Sequence, residues 1–161
     1  MTGLAFVVFM LVFIDQMFKT WAYNVTVEGP LHIIPGIFQI SYVENTGAAF
    51  SILQDARWLL VGVTSVMLAV IGYLVFARKV TEDTLVSGLS MILAGGLGNL
   101  IDRIMRGFVV DCLDFSALFG FPVFNFADIC VTVGTAMLLW YLCIEEPRKK
   151  KEQVPAQGKE G

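Results

Sequence analysis

Long stretches without a charged residue constrain this chain more than any other feature of its sequence. Trp58–Ala77 contains twenty such residues in a row and Thr84–Ile101 contains eighteen. Because a helix needs about 20 apolar residues to cross a hydrocarbon core roughly 30 Å thick, each stretch suits a membrane-spanning helix. Gly3–Tyr23 and Ala127–Ile144 are nearly as apolar, with two charged residues in the first and one in the second. We therefore predict a membrane α-helical protein, a bundle of four transmembrane helices at about residues 3–23, 58–77, 84–105 and 127–144.

The composition excludes several other classes of protein. Residues of the types AVILMFWYC make up 57% of the chain and charged residues only 16%, whereas soluble domains carry roughly 25% charge. Disorder requires low hydrophobicity and high charge, so a disordered chain is excluded. The net charge of −3 lacks the basic excess expected of a nucleic-acid binder, and we predict no nucleic-acid partner. The three cysteines show no CxxC spacing, which argues against a disulfide framework or a zinc site.

The basic residues of the short loops predict the orientation in the membrane. Arg78 and Lys79 follow the second apolar stretch, and four consecutive basic residues at 148–151 follow the last. Since cytoplasmic loops carry an excess of Lys and Arg, both termini are expected in the cytoplasm. The first stretch lacks a basic N-terminal region and is predicted to be a retained helix, not a cleaved signal peptide. We expect one domain over residues 1–147 and a basic, disordered cytoplasmic tail over 148–161.

The outward segment after the first helix has the pattern of a small β-element, at about residues 25–56. Phe38, Ile40 and Tyr42 alternate with polar residues, which is strand periodicity, and Leu31–Ile34 is a plausible partner strand. The single histidine of the chain, His32, lies here and is interpreted as an ordinary surface residue.

Ionisable and amide side chains at membrane depth are costly and are functional candidates by default. Asp15 and Lys19 are four residues apart on one helical face, where they can form a structural ion pair or contact a substrate. Gly95, Asn99 and Arg103 form a second stripe on the third helix. Close helix packing explains the many small residues of that helix, but it does not explain an amide and a guanidinium on the same stripe.

Two further carboxylates are placed at one predicted membrane interface. Asp111 follows the third helix and Asp128 begins the fourth, so the two can approach each other. Close carboxylates share a proton, and one can then act as a base on water while the other acts as an acid. Alternatives are an N-cap role for Asp128, solvated loop carboxylates, and Asp114 in place of either residue. Asp102 is interpreted as a structural partner of Arg106, four residues on.

Five blocks in order now make the chain resemble the signal peptidase II family, the lipoprotein signal peptidases of bacteria. Together with the four helices they span nearly the whole chain apart from its tail. The blocks are Asp15-Gln16-x-x-Lys19, Asn45-Thr46-Gly47-Ala48-Ala49-Phe50, Gly95-Gly96-Leu97-Gly98-Asn99-Leu100-Ile101-Asp102-Arg103, Gly107-x-Val109-Val110-Asp111 and Phe124-Asn125-Phe126-Ala127-Asp128.

The resemblance implies an intramembrane aspartyl endopeptidase of the bacterial cytoplasmic membrane, with its site near the outer face. It implies that Asp111 and Asp128 are catalytic, and that no metal or other cofactor is used. Its implied partners are membrane lipid and diacylglyceryl-modified prolipoproteins, which are cut just before the lipidated cysteine. The implied substrate-binding residues are Asn45, Gly47, Asn99, Arg103 and Asn125, and the implied supporting residues are Asp15, Lys19, Gly95 and Ala127.

One residue departs from the family pattern, and two rival functions remain as alternatives. Cys112 stands where the family usually has an aromatic residue, and we expect it to alter packing and not chemistry. A non-enzymatic carrier or lipid-binding scaffold is the main alternative, although no internal repeat is visible, as transporters tend to show. A metal-dependent hydrolase lacks the usual HExxH ligands.

Overall fold

The computed structural model describes residues 2–47 and 56–153, and within them four helices are long and apolar enough to span a membrane. The four-helix prediction is therefore confirmed. The helices and strands are α1 (Thr2–Val25), β1 (Leu31–Ile34), β2 (Phe38–Asn45), α2 (Arg57–Phe76), α3 (Asp83–Met105), β3 (Val109–Asp114), the short α4 (Ser116–Phe119), α5 (Phe126–Trp140), a π-helical turn (Tyr141–Glu145) and α6 (Glu146–Gln153).

The fourth membrane helix continues further than the sequence predicted. It runs through α5, the π-helical turn and α6, and its membrane-capable part is Phe126–Lys151. Residues 148–153, which the sequence assigned to a disordered tail, are helical, while 154–161 lie outside the described residues. Good helix formers and two ion pairs, Lys150 with Glu146 and Lys149 with Glu82, explain this extension.

Helix α3 is the centre of the bundle. Half of its most apolar 18-residue stretch is buried inside the protein, against 17% for the corresponding stretch of each of the other three helices. Glycines let α5 approach it closely: a Cβ atom on Gly88 would lie 2.9 Å from the carbonyl oxygen of Gly134, and one on Gly95 would collide with the carbonyl oxygen of Ala127. Gly95 therefore supports the packing of α3 against α5, next to the beginning of α5.

A three-stranded antiparallel sheet, ordered β1-β2-β3, lies at one end of the bundle. The two strands predicted after α1 are confirmed, but the third, β3, follows α3 and was not predicted as a strand. Asp111 therefore lies on a strand and not in a loop, opposite Val43 of β2. Within the predicted element, residues 48–55 lie outside the described part of the chain.

Candidate active site

The beginning of α5 is fixed by a reciprocal cap. The Asn125 side-chain oxygen accepts a hydrogen bond from the Asp128 backbone N–H at 2.9 Å, and Asp128 Oδ2 accepts one from the Asn125 N–H at 3.1 Å. This is a capping box, which satisfies two otherwise unpaired N–H groups. Asn125 is thus the N-cap residue and the alternative N-cap role for Asp128 is wrong, although Asp128 does take part in the cap.

Asn125 also contacts the second carboxylate. Its Nδ2 donates to Asp111 Oδ1 at 2.7 Å, and Asn45 Nδ2 donates to Asp111 Oδ2 at 2.9 Å. One buried residue therefore bonds both carboxylates, because Asn125 donates to Asp111 from its side chain and to Asp128 from its backbone N–H. The Asn45 side-chain oxygen in turn accepts from the Gly47 N–H at 3.0 Å, which turns the chain at the end of β2.

Asn99 holds Asp128 from the side of α3. Its Nδ2 donates to Asp128 Oδ1 at 2.8 Å. Its Oδ1 accepts from Lys19 Nζ at 3.0 Å and from Asn125 Nδ2 at 3.2 Å. Because both of these partners are donors, the Asn99 oxygen must face them and its NH₂ group must face Asp128.

Lys19 is the buried cation behind this amide. Its ammonium bonds Asp15 at 2.9 Å and Asp102 at 2.7 Å as well as Asn99, so all three N–H donors are used. The predicted Asp15–Lys19 pair is therefore present in the bundle interior. The other oxygen of Asp15 accepts from the Ala127 N–H at 2.9 Å, which ties α1 to the first turn of α5.

Asp102 has a larger part in this network than the sequence indicated. The predicted pairing with Arg106 is present, but Asp102 is fully buried and also bonds Lys19 and Gln16. The sequence did contain a signal for this contact, because a single lysine at membrane depth, Lys19, can pair with two aspartates at once. What the sequence does not give is the rotation of α1 and α3 that turns these residues towards each other.

The Arg103 guanidinium extends towards the segment after β2. Its Nη2 donates to the Gly47 carbonyl oxygen at 2.8 Å, and its Nη1 makes a longer bond, 3.4 Å, to the carbonyl oxygen of Asn99. Its Nε is buried and has no hydrogen-bond partner among the described residues. Among the carboxylates that could pair with Arg103, Asp15 is instead bonded to Lys19, Gln16 and Ala127.

The two carboxylates of β3 have opposite electrostatic settings. Burial raises the pKa of Asp111 to about 6, and the charge of Asp128 adds to this, while hydrogen bonds from Asn45 and Asn125 oppose it. Burial also acts to raise the pKa of Asp114, but hydrogen bonds from Ser116, Gln39 and Ser41 outweigh it and lower that pKa to about 2. Asp114 thus anchors the sheet and its neighbouring turn, with Gln39 at 2.7 Å and Ser41 at 2.9 Å.

The cysteine beside Asp111 and the histidine of β1 lie in settings unlike those of reactive groups. Cys112 is fully buried, and burial raises the pKa of its thiol to about 12, so it is protonated and packs as an apolar residue. Within residues 2–47 and 56–153, no group of three His, Cys, Asp or Glu side chains is arranged to hold a metal ion. His32 lies exposed on β1.

Fold and site together define a multi-pass membrane protein with a pair of amide-bonded carboxylates at one end of its helix bundle. The sequence model described as Signal peptidase (SPase) II matches residues 7–144, and the chain belongs to this family. The lipoprotein signal peptidase of Streptococcus pneumoniae is 42% identical over 147 residues, which cover 88% of this chain and 93% of that protein. The lipoprotein signal peptidase of Clostridioides difficile is 38% identical over 146 residues, covering 89% and 97%.

Solved structures agree on the fold. A bacterial membrane enzyme determined by the in meso method at 2.3 Å resolution superposes with a TM-score of 0.82 at 24% identity, covering 100% of this chain and 96% of that chain. A second bacterial membrane enzyme, at 1.9 Å resolution, gives a TM-score of 0.78 at 27% identity, covering 89% and 94%. Family membership makes the protein a membrane peptidase, and the alternative of a carrier or lipid-binding scaffold is not favoured.

Proposed function

We propose that the protein is an aspartyl endopeptidase that removes signal peptides from diacylglyceryl-modified prolipoproteins, cutting just before the lipidated cysteine. The name shared by its relatives supports this substrate class. The observation that carries the chemistry is the Asn125 side chain, which is bonded to Asp111 and is joined to Asp128 by the capping box. We propose Asp111 and Asp128 as the catalytic pair.

The settings of the two carboxylates support a division of their roles. Asp111 is buried with a raised pKa, which suits the protonated acid. Asp128 is partly exposed and is proposed as the base that takes a proton from water. Asp128 removes a proton from water, the water oxygen attacks the scissile carbonyl carbon, and Asp111 donates its proton to the carbonyl oxygen. Collapse of the tetrahedral intermediate returns that proton to Asp111, while the proton on Asp128 passes to the departing amine, so both groups regain their starting forms.

Substrate binding is proposed for residues beside the pair. Arg103 Nε is a buried donor without a described partner, and a substrate backbone carbonyl would satisfy it. Gly47 is bonded to Arg103 and to Asn45, so its backbone lies at the rim of the same site. Asn45, Asn99 and Asn125 hold the carboxylates in this structure, and each is proposed to contact the substrate backbone as well.

The membrane setting is part of the proposal. The basic residues Arg78 and Lys79, and those at 148–151, lie at the opposite ends of their helices from the sheet, which supports cytoplasmic termini. In that orientation the site lies near the outer face of the bacterial cytoplasmic membrane. A lipid-anchored substrate reaches it laterally through the bilayer, with its scissile bond near the headgroups. Membrane lipid is thus a natural partner, and no nucleic acid is involved.

The test is cleavage of purified diacylglyceryl-modified prolipoprotein, followed on a gel, with mass spectrometry of the new N-terminus. Asp111→Asn and Asp128→Asn should each abolish cleavage without unfolding the protein, because an amide is nearly isosteric but cannot exchange the proton. Glu44→Gln is the matched control, since Glu44 is an exposed carboxylate on β2 beside Asn45. Near-normal turnover in either aspartate variant would refute the pair, and cleavage of unlipidated precursor at an equal rate would refute the substrate class.

A further inference from the structure

The C-terminal end of α3 is held by an arginine from another helix. The last carbonyls of a helix have no partner within it and must find one elsewhere. Arg57, the first residue of α2, donates from Nε to the carbonyl oxygen of Arg103 at 2.7 Å and from its Nη2 to that of Ile104 at 2.8 Å. A single guanidinium therefore satisfies two adjacent carbonyls in the last turn of α3.

The same turn contains the residue proposed to bind the substrate. Arg103 is bonded through its backbone oxygen to Arg57 and through its side chain to the Gly47 carbonyl oxygen, at 2.8 Å. Gly47 and Arg57 are thus both bonded to one residue of α3. Fixing the backbone of Arg103 limits the directions in which its guanidinium can point.

Arg57 also lies against the turn that leads into β3. A Cβ atom on Gly107 would lie 3.4 Å from Arg57 Nη1, and Gly107 has φ +94°, a conformation that side chains disfavour. The Arg57 guanidinium lies over the Trp58 ring, 4.8 Å from its centre, which restricts its orientation. Four residues beyond this turn is Asp111, so the Arg57 contacts lie next to both parts of the proposed site.

We propose that Arg57 is a positioning residue of the peptidase, which holds Arg103 in the orientation that meets the substrate backbone. This inference rests on the proposed role of Arg103 in substrate binding. A lysine cannot replace the arginine fully, because a single nitrogen does not reproduce a planar fork that reaches two carbonyls at once.

The experiment measures kcat and KM on diacylglyceryl-modified prolipoprotein for Arg57→Gln, Arg57→Lys, Arg103→Gln and the double variant Arg57→Gln/Arg103→Gln. Loss of the two charged hydrogen bonds should lower kcat/KM in Arg57→Gln about tenfold. Arg57→Lys should recover part of this loss in kcat/KM. It also provides the test of the proposal if Arg57→Gln does not fold. Arg78→Gln is the matched control, an exposed arginine at the other end of α2, and should retain normal kinetics.

The double variant separates positioning from general stability. If Arg57 acts through Arg103, the double variant should be no more than about twofold worse than Arg103→Gln alone. Losses that multiply, or a fall in kcat/KM that follows the unfolding temperature, would overturn the inference. Normal kinetics in Arg57→Gln beside an impaired Arg103→Gln would overturn this inference only. Normal kinetics in Arg103→Gln would overturn the proposed substrate role of Arg103 and, with it, the role of Arg57.

Discussion

Replacing Lys19 by methionine tests the buried network more directly than any other single change. The side chain is fully buried, and its ammonium bonds Asp15, Asp102 and Asn99 at 2.7–3.0 Å. Methionine has a similar length but no charge and no donor. Asp15 would keep its bonds to Gln16 and to the Ala127 N–H, yet both carboxylates would lose their shared cation in the bundle interior.

Breaking a buried ion pair by removing one partner costs about 3–5 kcal/mol, because it leaves an uncompensated charge away from water. Loss of an ordinary hydrogen bond costs only about 1 kcal/mol. We therefore expect Lys19→Met to lower the free energy of unfolding by about 3–5 kcal/mol. It should also lower kcat, since the Asn99 amide that donates to Asp128 loses one of the two donors that orient its oxygen.

The assay is unfolding in mixed detergent micelles, followed by circular dichroism, together with the cleavage assay. Lys150→Met is the matched control, because Lys150 pairs with Glu146 at the same spacing of four residues but on the surface, and little change is expected there. Asp102 keeps its ion pair with Arg106, so the charge left without a cation is that of Asp15, and the double variant Lys19→Met/Asp15→Asn should regain part of the lost stability. A loss of about 1 kcal/mol or less in Lys19→Met would refute the reasoning, since the carboxylates would then not depend on this cation.

Two further predictions concern the site and its packing. If protonated Asp111 is the acid, kcat/KM should fall as the pH rises through about 6. Asn45→Ala removes a donor that lowers the pKa of Asp111, so this fall should move to higher pH, and an unchanged pH profile would contradict the assignment. Gly95→Ala should destabilise the bundle by about 1–3 kcal/mol because its methyl group meets the Ala127 carbonyl, while Gly3→Ala, which has open space around it, should not.

The helices and two of the strands could be predicted because each is encoded locally. Apolar length marks the four helices, and the alternation around Phe38, Ile40 and Tyr42 marks β2. Strand β3 escaped prediction because Val109–Asp114 has no clear alternation, and five of its six residues are buried on account of what packs around them. Its partner β2 lies more than sixty residues earlier, so the pairing is a property of the tertiary fold.

The members of the site could be named from the sequence, but their contacts could not. Asn125 was a candidate for substrate binding only by family resemblance, although Asn followed by Asp three residues later is a capping-box signal. From the sequence alone, an N-cap role was predicted only for Asp128, and only as an alternative to catalysis. Asp102 was paired with Arg106 by its spacing of four along one helix, whereas its bond to Lys19 depends on how α1 and α3 are rotated in the bundle.

The described contacts on the two neighbouring carboxylates come from neutral groups and not from cations. The hydrogen-bond donors on Asp111 and Asp128 in this structure are the amides of Asn45, Asn99 and Asn125, side chain or backbone, and all are neutral. A cation bonded directly to the pair would favour ionisation of both groups and remove the proton that the proposed acid must donate.

The two cations near the pair, Lys19 and Arg103, are bonded to other groups. Lys19 is bonded to two other carboxylates and to the Asn99 oxygen, and the Arg103 guanidinium is bonded to backbone carbonyls. The amides thus orient the two carboxylates without placing a cation on either of them. Acid–base catalysis by a carboxylate pair requires this arrangement, because one of the two groups must hold a proton that it can donate.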